Sequence, residues 1–370
     1  MTAIEAAEAM KQGIHDYDPS IKTVLLPAAD GGEGTTSSLV EATNGKIVKV
    51  NVKDALSREI EASYGVLGDG KTCVIEIAEA SGLISLTEEE RNPLKASTYG
   101  TGELIIHALD AGLRNFIIGL GGSATNDGGA GILQALGMTF LDENGVELAQ
   151  GGGALCQLHK IDNVHFDRRI SKSTFLIACD VDNPLVGPNG ASFVFGPQKG
   201  ASSEVVELLD NNLLNYANVI EKLTAISLHN KKGAGAAGGA GGAFQAFFPG
   251  EMKQGIDVIL EAISFDEHLH DTDLILTGEG KTDAQTFSGK TPYGIARVGQ
   301  DAGVPVILIS GMLDVESQEK LKPFFHKIYG VVDDTVSVED SITQAFHYLK
   351  LKTAEVIGKY LQEETKKNID

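Results

Sequence analysis

Apolar residues recur at helical spacing from the first turn of the chain. Ile4, Ala7, Met10 and Ile14 fall on one face, with Thr2 placed as an N-cap and Glu5 three residues on in capping-box spacing. This pattern predicts a helix ending near Gly13. The run IKTVLLPAAD reads as a strand that breaks at Pro27 into the loop DGGEG, after which TTSSLVEAT predicts a helix and GKIVKVNVKD a strand. From about Tyr64 to about Phe265 the texture changes. CVIEIAEASGL is followed by a helix from about Gly102 to Ala111, the strand FIIGLGG, the stretch GGAGILQALGMTFLD, the strand TFLIACDVDNP and a long helix from about Ser203 to Ala225. The cluster GAGAAGGAGGAFQAFF runs from small residues into Phe244, Phe247 and Phe248, which predicts a helix packed closely against backbone rather than a low-complexity linker.

After Phe265 a regular alternation returns: DLILTGEG, a helix around TPYGIARVGQDAG, VPVILISG, FHKIYGVVDD, and a last helix with Ile342, Ala345, Phe346, Leu349, Ile357 and Leu361 on roughly one side. Short apolar strands alternating with helices predict an α/β fold with a parallel sheet, whose ligand loops lie at the carboxyl ends of the strands. At 370 residues the chain exceeds the size of a single core, so two domains are expected. The texture changes place them at 1–64 with 266–370, and at 65–265.

Composition narrows the partners. Fifty-one acidic against thirty basic residues give a formal charge of -21, which disfavours nucleic acid and anionic membranes and requires local cations or amide groups wherever an anion binds. The three cysteines, Cys73, Cys156 and Cys179, form no CxxC pair and read as thiols of a reducing compartment. With no apolar run of membrane-span length and an N-terminus that reads as a capped helix rather than a signal peptide, the expected location is cytoplasmic. Monomer and homodimer are both compatible with the sequence.

Five polar segments carry the candidate chemistry. DGGEGT sets Asp30 and Glu33 among glycines, suited to a small polyol, a metal-phosphate or an ordinary tight turn. GLGGSATNDGGAG delivers Gly121, Gly122 and Ser123 to a strand tip and sets Asn126 and Asp127 before an apolar helix, where amide groups favour phosphate or carboxylate and Asp127 also fits a plain N-cap. ACDVDNPLVG ends a strand with Asp180, Asp182 and Asn183, a set suited to Mg2+, to orienting a hydroxyl or to taking a proton, with Asx-turn capping as the plainer reading. In FGPQKGA, Lys199 is either a contact for phosphate or substrate carboxylate or a solvated lysine.

LTGEGKTDAQTFSGKTPYG is the densest, with Glu279, Lys281, Asp283, Gln285 and Lys290 between a strand and a helix. A Walker A loop needs a glycine five positions before the GK glycine; Ile275 and Ala284 stand there, so an ATP site in this chain has another design. Asp283 is the candidate acceptor of the substrate proton. His268 and His270 lack a third ligand at zinc spacing, no G-x-S-x-G elbow is present, and no dinucleotide fingerprint supports an NAD-dependent oxidoreductase.

In this order the motifs ADGGEGT, RNPLKAS, GLGGSATNDGGAG, ACDVDNPLVG, VFGPQKGA, GAGAAGG and LTGEGKTDAQTFSGKTP resemble the type 1 glycerate kinase family across nearly the whole chain. The resemblance implies ATP- and Mg2+-dependent phosphorylation of D-glycerate, at the 2-hydroxyl, to give 2-phosphoglycerate. It also implies a Rossmann-like parallel-sheet domain built from both chain ends, an inserted α/β domain with a mixed sheet, and a cleft between them. The resemblance supports these glycine motifs as site loops, and the chemistry of the residues within them makes Asp283, Asp180 and Lys290 the catalytic candidates. Asp30, Glu33, Ser123, Asn126, Asp127 and Lys199 fall to the substrate, Gly121, Gly122, Glu279, Lys281 and Gln285 to the nucleotide, and Asp180 and Asp182 to the metal. Thr282 stands where the family often has isoleucine. Members usually begin with a strand and loop resembling IVIAPDSFKGSLSA, and this chain starts at the helix beyond it, so lowered stability or activity is expected. A kinase of another small hydroxy or sugar acid, and a protein that only binds such ligands, are the alternative readings.

Overall fold

A computed structural model describes residues 1–28, 34–283, 286 and 291–367. Its contacts divide the chain into two units, Met1–Asp30 with Ile259–Asp370, and Gly31–Val258.

The larger unit is built on a six-stranded mixed sheet. Its strands are β1 (Lys46–Lys53), β2 (Glu59–Val66), β3 (Thr72–Glu76), β4 (Asn115–Gly119), β7 (Thr174–Ala178) and β8 (Gly250–Lys253), in the order β1-β2-β3-β4-β7-β8, while β5 (Thr139–Leu141) and β6 (Lys160–Asp162) form a separate pair. β1, β2 and β3 pair antiparallel, and β3, β4, β7 and β8 run parallel. The inner strands FIIG and TFLIA are apolar on consecutive residues because both faces of the sheet are covered, and Phe116 stacks on Phe175 with ring centroids 4.7 Å apart. The edge strand β1 instead alternates, with Lys46, Lys49 and Asn51 exposed, which blunts the edge against further pairing. β1 pairs with β2 along its whole length, so residues 46–66 belong to this sheet and the boundary falls after Asp30 rather than near Tyr64.

The predicted glycine-cluster helix is present as Ala240–Phe247, preceded by a 3-10 turn at Ala236–Gly239. Gly238 has φ +65°, and a Cβ there would run into the carbonyl of Thr125, so glycine lets this turn close onto the loop that follows β4.

The smaller unit is a three-stranded parallel sheet, β9 (Ile275–Thr282), β10 (Val306–Leu313) and β11 (Lys327–Gly330), in the order β11-β10-β9. The first helix, Ala3–Tyr17, has the predicted Thr2 cap and a reciprocal capping box with Glu5. It continues four residues past Gly13, whose missing side chain admits the Lys350 carbonyl of the last helix; the glycine marks a helix crossing, not a helix end. Met10, Ile307, Ile309, Val331, Leu349 and Val356 form the buried core.

Two further expectations are corrected. Residues 21–28 form no strand, having no ladder partner among the described residues, and Val24 is exposed. The last helical pattern is two helices, Val338–Thr343 and Ala345–Lys367; the break at Gln344 shifts the helical phase and turns Ile342 out to solvent. Among the described residues, no helix is long and apolar enough to cross a membrane.

Candidate active site

In the larger unit the parallel register aligns Glu76 with Gly119, Gly119 with Ala178 and Ala178 with Lys253, so four strands end in one row. Loops leaving such an edge are where open α/β sheets place ligands. The segment after β4 carries Gly121 to Asp127, and the segment after β7 carries Asp180 and Asp182. Asp180 Oδ1 accepts from Gly255 N at 2.8 Å, tying the loop after β7 to the chain after β8.

The loop after β4 is held from several sides. Gly122, at φ +73°, makes the turn, and Gly121 and Gly122 are exposed. Leu83 N donates to Gly122 O and Ala124 N to Ser81 O, both at 2.8 Å. Behind the turn lies a buried polar cluster. Asp127 is fully buried and accepts from Thr98 N (2.8 Å), Thr98 Oγ1 (2.9 Å), Gly129 N (3.0 Å) and Gly131 N (3.2 Å). It therefore joins the starts of two helices, Tyr99–Asp110 and Ala130–Ala135, where a carboxylate is favoured by the backbone donors and the dipoles. Burial pushes the Asp127 carboxyl above the usual range, and the bonds from Thr98, Gly129 and Gly131 oppose that rise. Asn126 is also fully buried and donates to Ser192 Oγ at 2.9 Å.

Lys199 belongs to the same cluster. The short helix Pro197–Lys199 turns its side chain inward, where Nζ donates to Ser123 Oγ at 2.9 Å and to Thr125 O at 2.7 Å with the residue only 2% exposed. The solvated-lysine reading is thereby removed. Burial lowers its pKa to about 7, with the Asp127 charge acting in the opposite direction.

Asp180 and Asp182 are exposed on the loop after β7, and Asp182 Oδ2 lies 3.2 Å from the Lys232 ammonium, a surface pair of little energetic weight. Among the described residues no group of three or more His, Cys, Asp or Glu is placed to hold a metal ion. Two exposed carboxylates nevertheless fit Mg2+, a hard cation that takes one or two protein carboxylates and completes its shell with water and substrate phosphate.

In the smaller unit, β9 runs on through Lys281 and Thr282 beside β10, and its end is fixed by side chains. Glu279 Oε1 accepts from Thr282 Oγ1 and Thr286 Oγ1, each at 2.8 Å, and Asp283 N donates to Thr286 Oγ1 at 3.2 Å. Thr282 is fully buried, so where an apolar residue would only pack, its hydroxyl also orients the Glu279 carboxylate. Lys281 Nζ lies 3.6 Å from Asp283 Oδ2.

The structure thus gathers Ser123, Asn126, Asp127 and Lys199 in one cluster of the larger unit, and Glu279, Lys281 and Asp283 at one strand end of the smaller. Asp30, Glu33, Gln285 and Lys290 lie outside the described residues. Sequence reasoning passed over Glu76. Its buried carboxylate accepts from Thr36 N at 2.7 Å and Gly34 N at 3.3 Å, anchoring the start of the Thr35–Ala42 helix to the strand row, and burial raises its pKa. The signal was present: a glutamate between Ile75 and Ile77 in an otherwise apolar run must find donors when buried.

Comparison with known proteins adds a further observation. The model of the Glycerate kinase family matches residues 1–362. The chain is 45% identical to the glycerate kinase of Bacillus subtilis, over 95% of this chain and 92% of that protein. It is 48% identical to the glycerate 2-kinase of Escherichia coli, over 85% of this chain and 82% of that protein. A crystal structure from Salmonella typhimurium LT2, described as a glycerate kinase 2, superposes with a TM-score of 0.91 at 42% identity, covering 99% of this chain and 96% of that one.

Proposed function

Because the chain belongs to the glycerate kinase family, we propose that it transfers the γ-phosphoryl group of ATP to the 2-hydroxyl of D-glycerate, giving 2-phosphoglycerate and ADP. The observation that carries this reading in the larger unit is the aligned row of strand ends, which brings out Ser123 and the Asp180–Asp182 loop along one edge of one sheet.

Phosphoryl transfer demands mainly positioning and charge compensation, with one group to take the acceptor proton. Asp180 and Asp182 would hold Mg2+, which supplies compensation of the phosphate charge when bound. The exposed amides of Gly121 and Gly122, with Glu279, Lys281 and Gln285, are assigned to the nucleotide, and Lys290 to the transferring phosphoryl group. Asp283 accepts the proton of the 2-hydroxyl as its oxygen attacks phosphorus. Asp30, Glu33 and Ser123 are assigned to glycerate. Asn126, Asp127 and Lys199 serve that site from behind, since each is buried and bonded within the protein. The formal net charge of -21 disfavours nucleic acid and anionic membranes as partners, and a cytoplasmic location is assigned with that reading.

An acceptor panel tests the substrate assignment. ADP release with ATP and Mg2+ is expected to show a kcat/KM for D-glycerate at least about tenfold above that for other small hydroxy acids and sugar acids, the discrimination that a few buried polar contacts supply. Preference for a sugar acid, with ATP use intact, would move the protein to a different acceptor.

A further inference from the structure

Lys199 is buried, at 2% exposed. It spends one donor on Thr125 O and another on Ser123 Oγ, and of these residues it is Ser123, 6% exposed beside the exposed Gly121–Gly122 turn, that reaches the surface. A hydroxyl has one proton and two acceptor lone pairs. When Ser123 Oγ accepts from an ammonium, it cannot return its own proton to that nitrogen, so its O–H points elsewhere. Ser123 then acts as a donor at the strand-end row. Once the lysine loses its proton, the bond can reverse: Ser123 donates inward to the Nζ lone pair and presents only lone pairs outward.

We propose that Lys199 is a positioning residue that sets the direction of the Ser123 hydroxyl proton, and so keeps Ser123 a donor to the carboxylate of bound glycerate. The proposal rests on the glycerate kinase reading. It explains why a lysine is buried in a protein of net charge -21: a methionine would fill the space but leave the Ser123 proton undirected. Asp127 acts on Lys199 directly and favours the ammonium, Tyr216 packs against Gly128, and Arg91 lies beside Gly200. Burial places the lysine's titration at about pH 7, so the donor form of Ser123 holds below that pH and is lost as pH rises through it.

The test is the pH dependence of the KM for D-glycerate, with the full chain at saturating ATP and Mg2+. The glycerate carboxylate is ionised throughout this range, so its own titration does not contribute. For the unaltered protein KM is expected to rise about tenfold between about pH 6 and about pH 8, with kcat changing much less. Lys199→Arg, permanently charged, is expected to hold KM low and flat. Ser123→Ala is expected to raise KM about tenfold already near pH 6 and to abolish the rise with pH. If the arginine variant does not fold, the alanine variant decides. A flat KM in an active unaltered enzyme, the same rise surviving in Ser123→Ala, or a dependence confined to the KM for ATP each overturns the proposal while leaving the kinase reading in place. Absence of glycerate phosphorylation at every pH overturns the kinase reading and the proposal with it.

Discussion

Replacing Asp283 by asparagine is expected to lower kcat about a hundredfold to ten-thousandfold, the span usual for loss of a general base, with little change in stability. The fold should tolerate the change for identifiable reasons. The backbone N–H of Asp283, which binds Thr286 Oγ1, is untouched, and the ion pair with Lys281, long at 3.6 Å and partly exposed, contributes little. Asparagine keeps the size of the side chain but is not basic, so it cannot take the proton of the attacking hydroxyl. A kcat within about threefold of the unaltered enzyme would remove Asp283 from the proton-accepting role, because a general base contributes far more than that.

The second large effect is on stability. Asp127→Ala deletes one buried carboxylate and strands four donors at the starts of the Tyr99–Asp110 and Ala130–Ala135 helices. It also takes from the buried Lys199 the charge that favours its protonation. Breaking a buried, fully bonded charge in this way costs about 3–5 kcal/mol, expected as a lowered urea midpoint for the unit Gly31–Val258. A loss below about 1 kcal/mol would mean that the loop rearranges to recruit other acceptors, contrary to a role for Asp127 as the joint between two helices.

Where local chemistry decides, the sequence is transparent. Thr2 and Glu5 specify their capping box by spacing, and FIIG and TFLIA, short and rich in β-formers, read as buried strands and are. The family motifs made the fold class and the kinase reading legible before any coordinate. What stayed hidden depends on partners distant in the chain. Gly13 resembles a helix terminator until the Lys350 carbonyl is seen against it. Residues 21–28 look β-forming, but strand formation depends on a ladder partner.

Ile342 follows the apolar phase of the last helix until the break at Gln344 moves it to solvent. The site behaves likewise. A lysine between Gln198 and Gly200 carries no mark of burial in its own neighbourhood, and its position follows only from Ser123 and Thr125, more than seventy residues earlier. Asp127 was legible as a helix cap, while its second helix, reached through Thr98, was not. Thr282, read as a mild departure, gains meaning from the carboxylate of Glu279.

Phosphorylation of D-glycerate at carbon 2 is tested most directly by phosphorus NMR of the product. After incubation with ATP, Mg2+ and D-glycerate, the product phosphorus should be split into a doublet, because in 2-phosphoglycerate it is coupled through oxygen to the single proton of a CH group. A triplet, from coupling to a CH2 group, would show that the 3-hydroxyl had been the acceptor, and a spectrum holding only ATP and its hydrolysis products would contradict glycerate phosphorylation altogether.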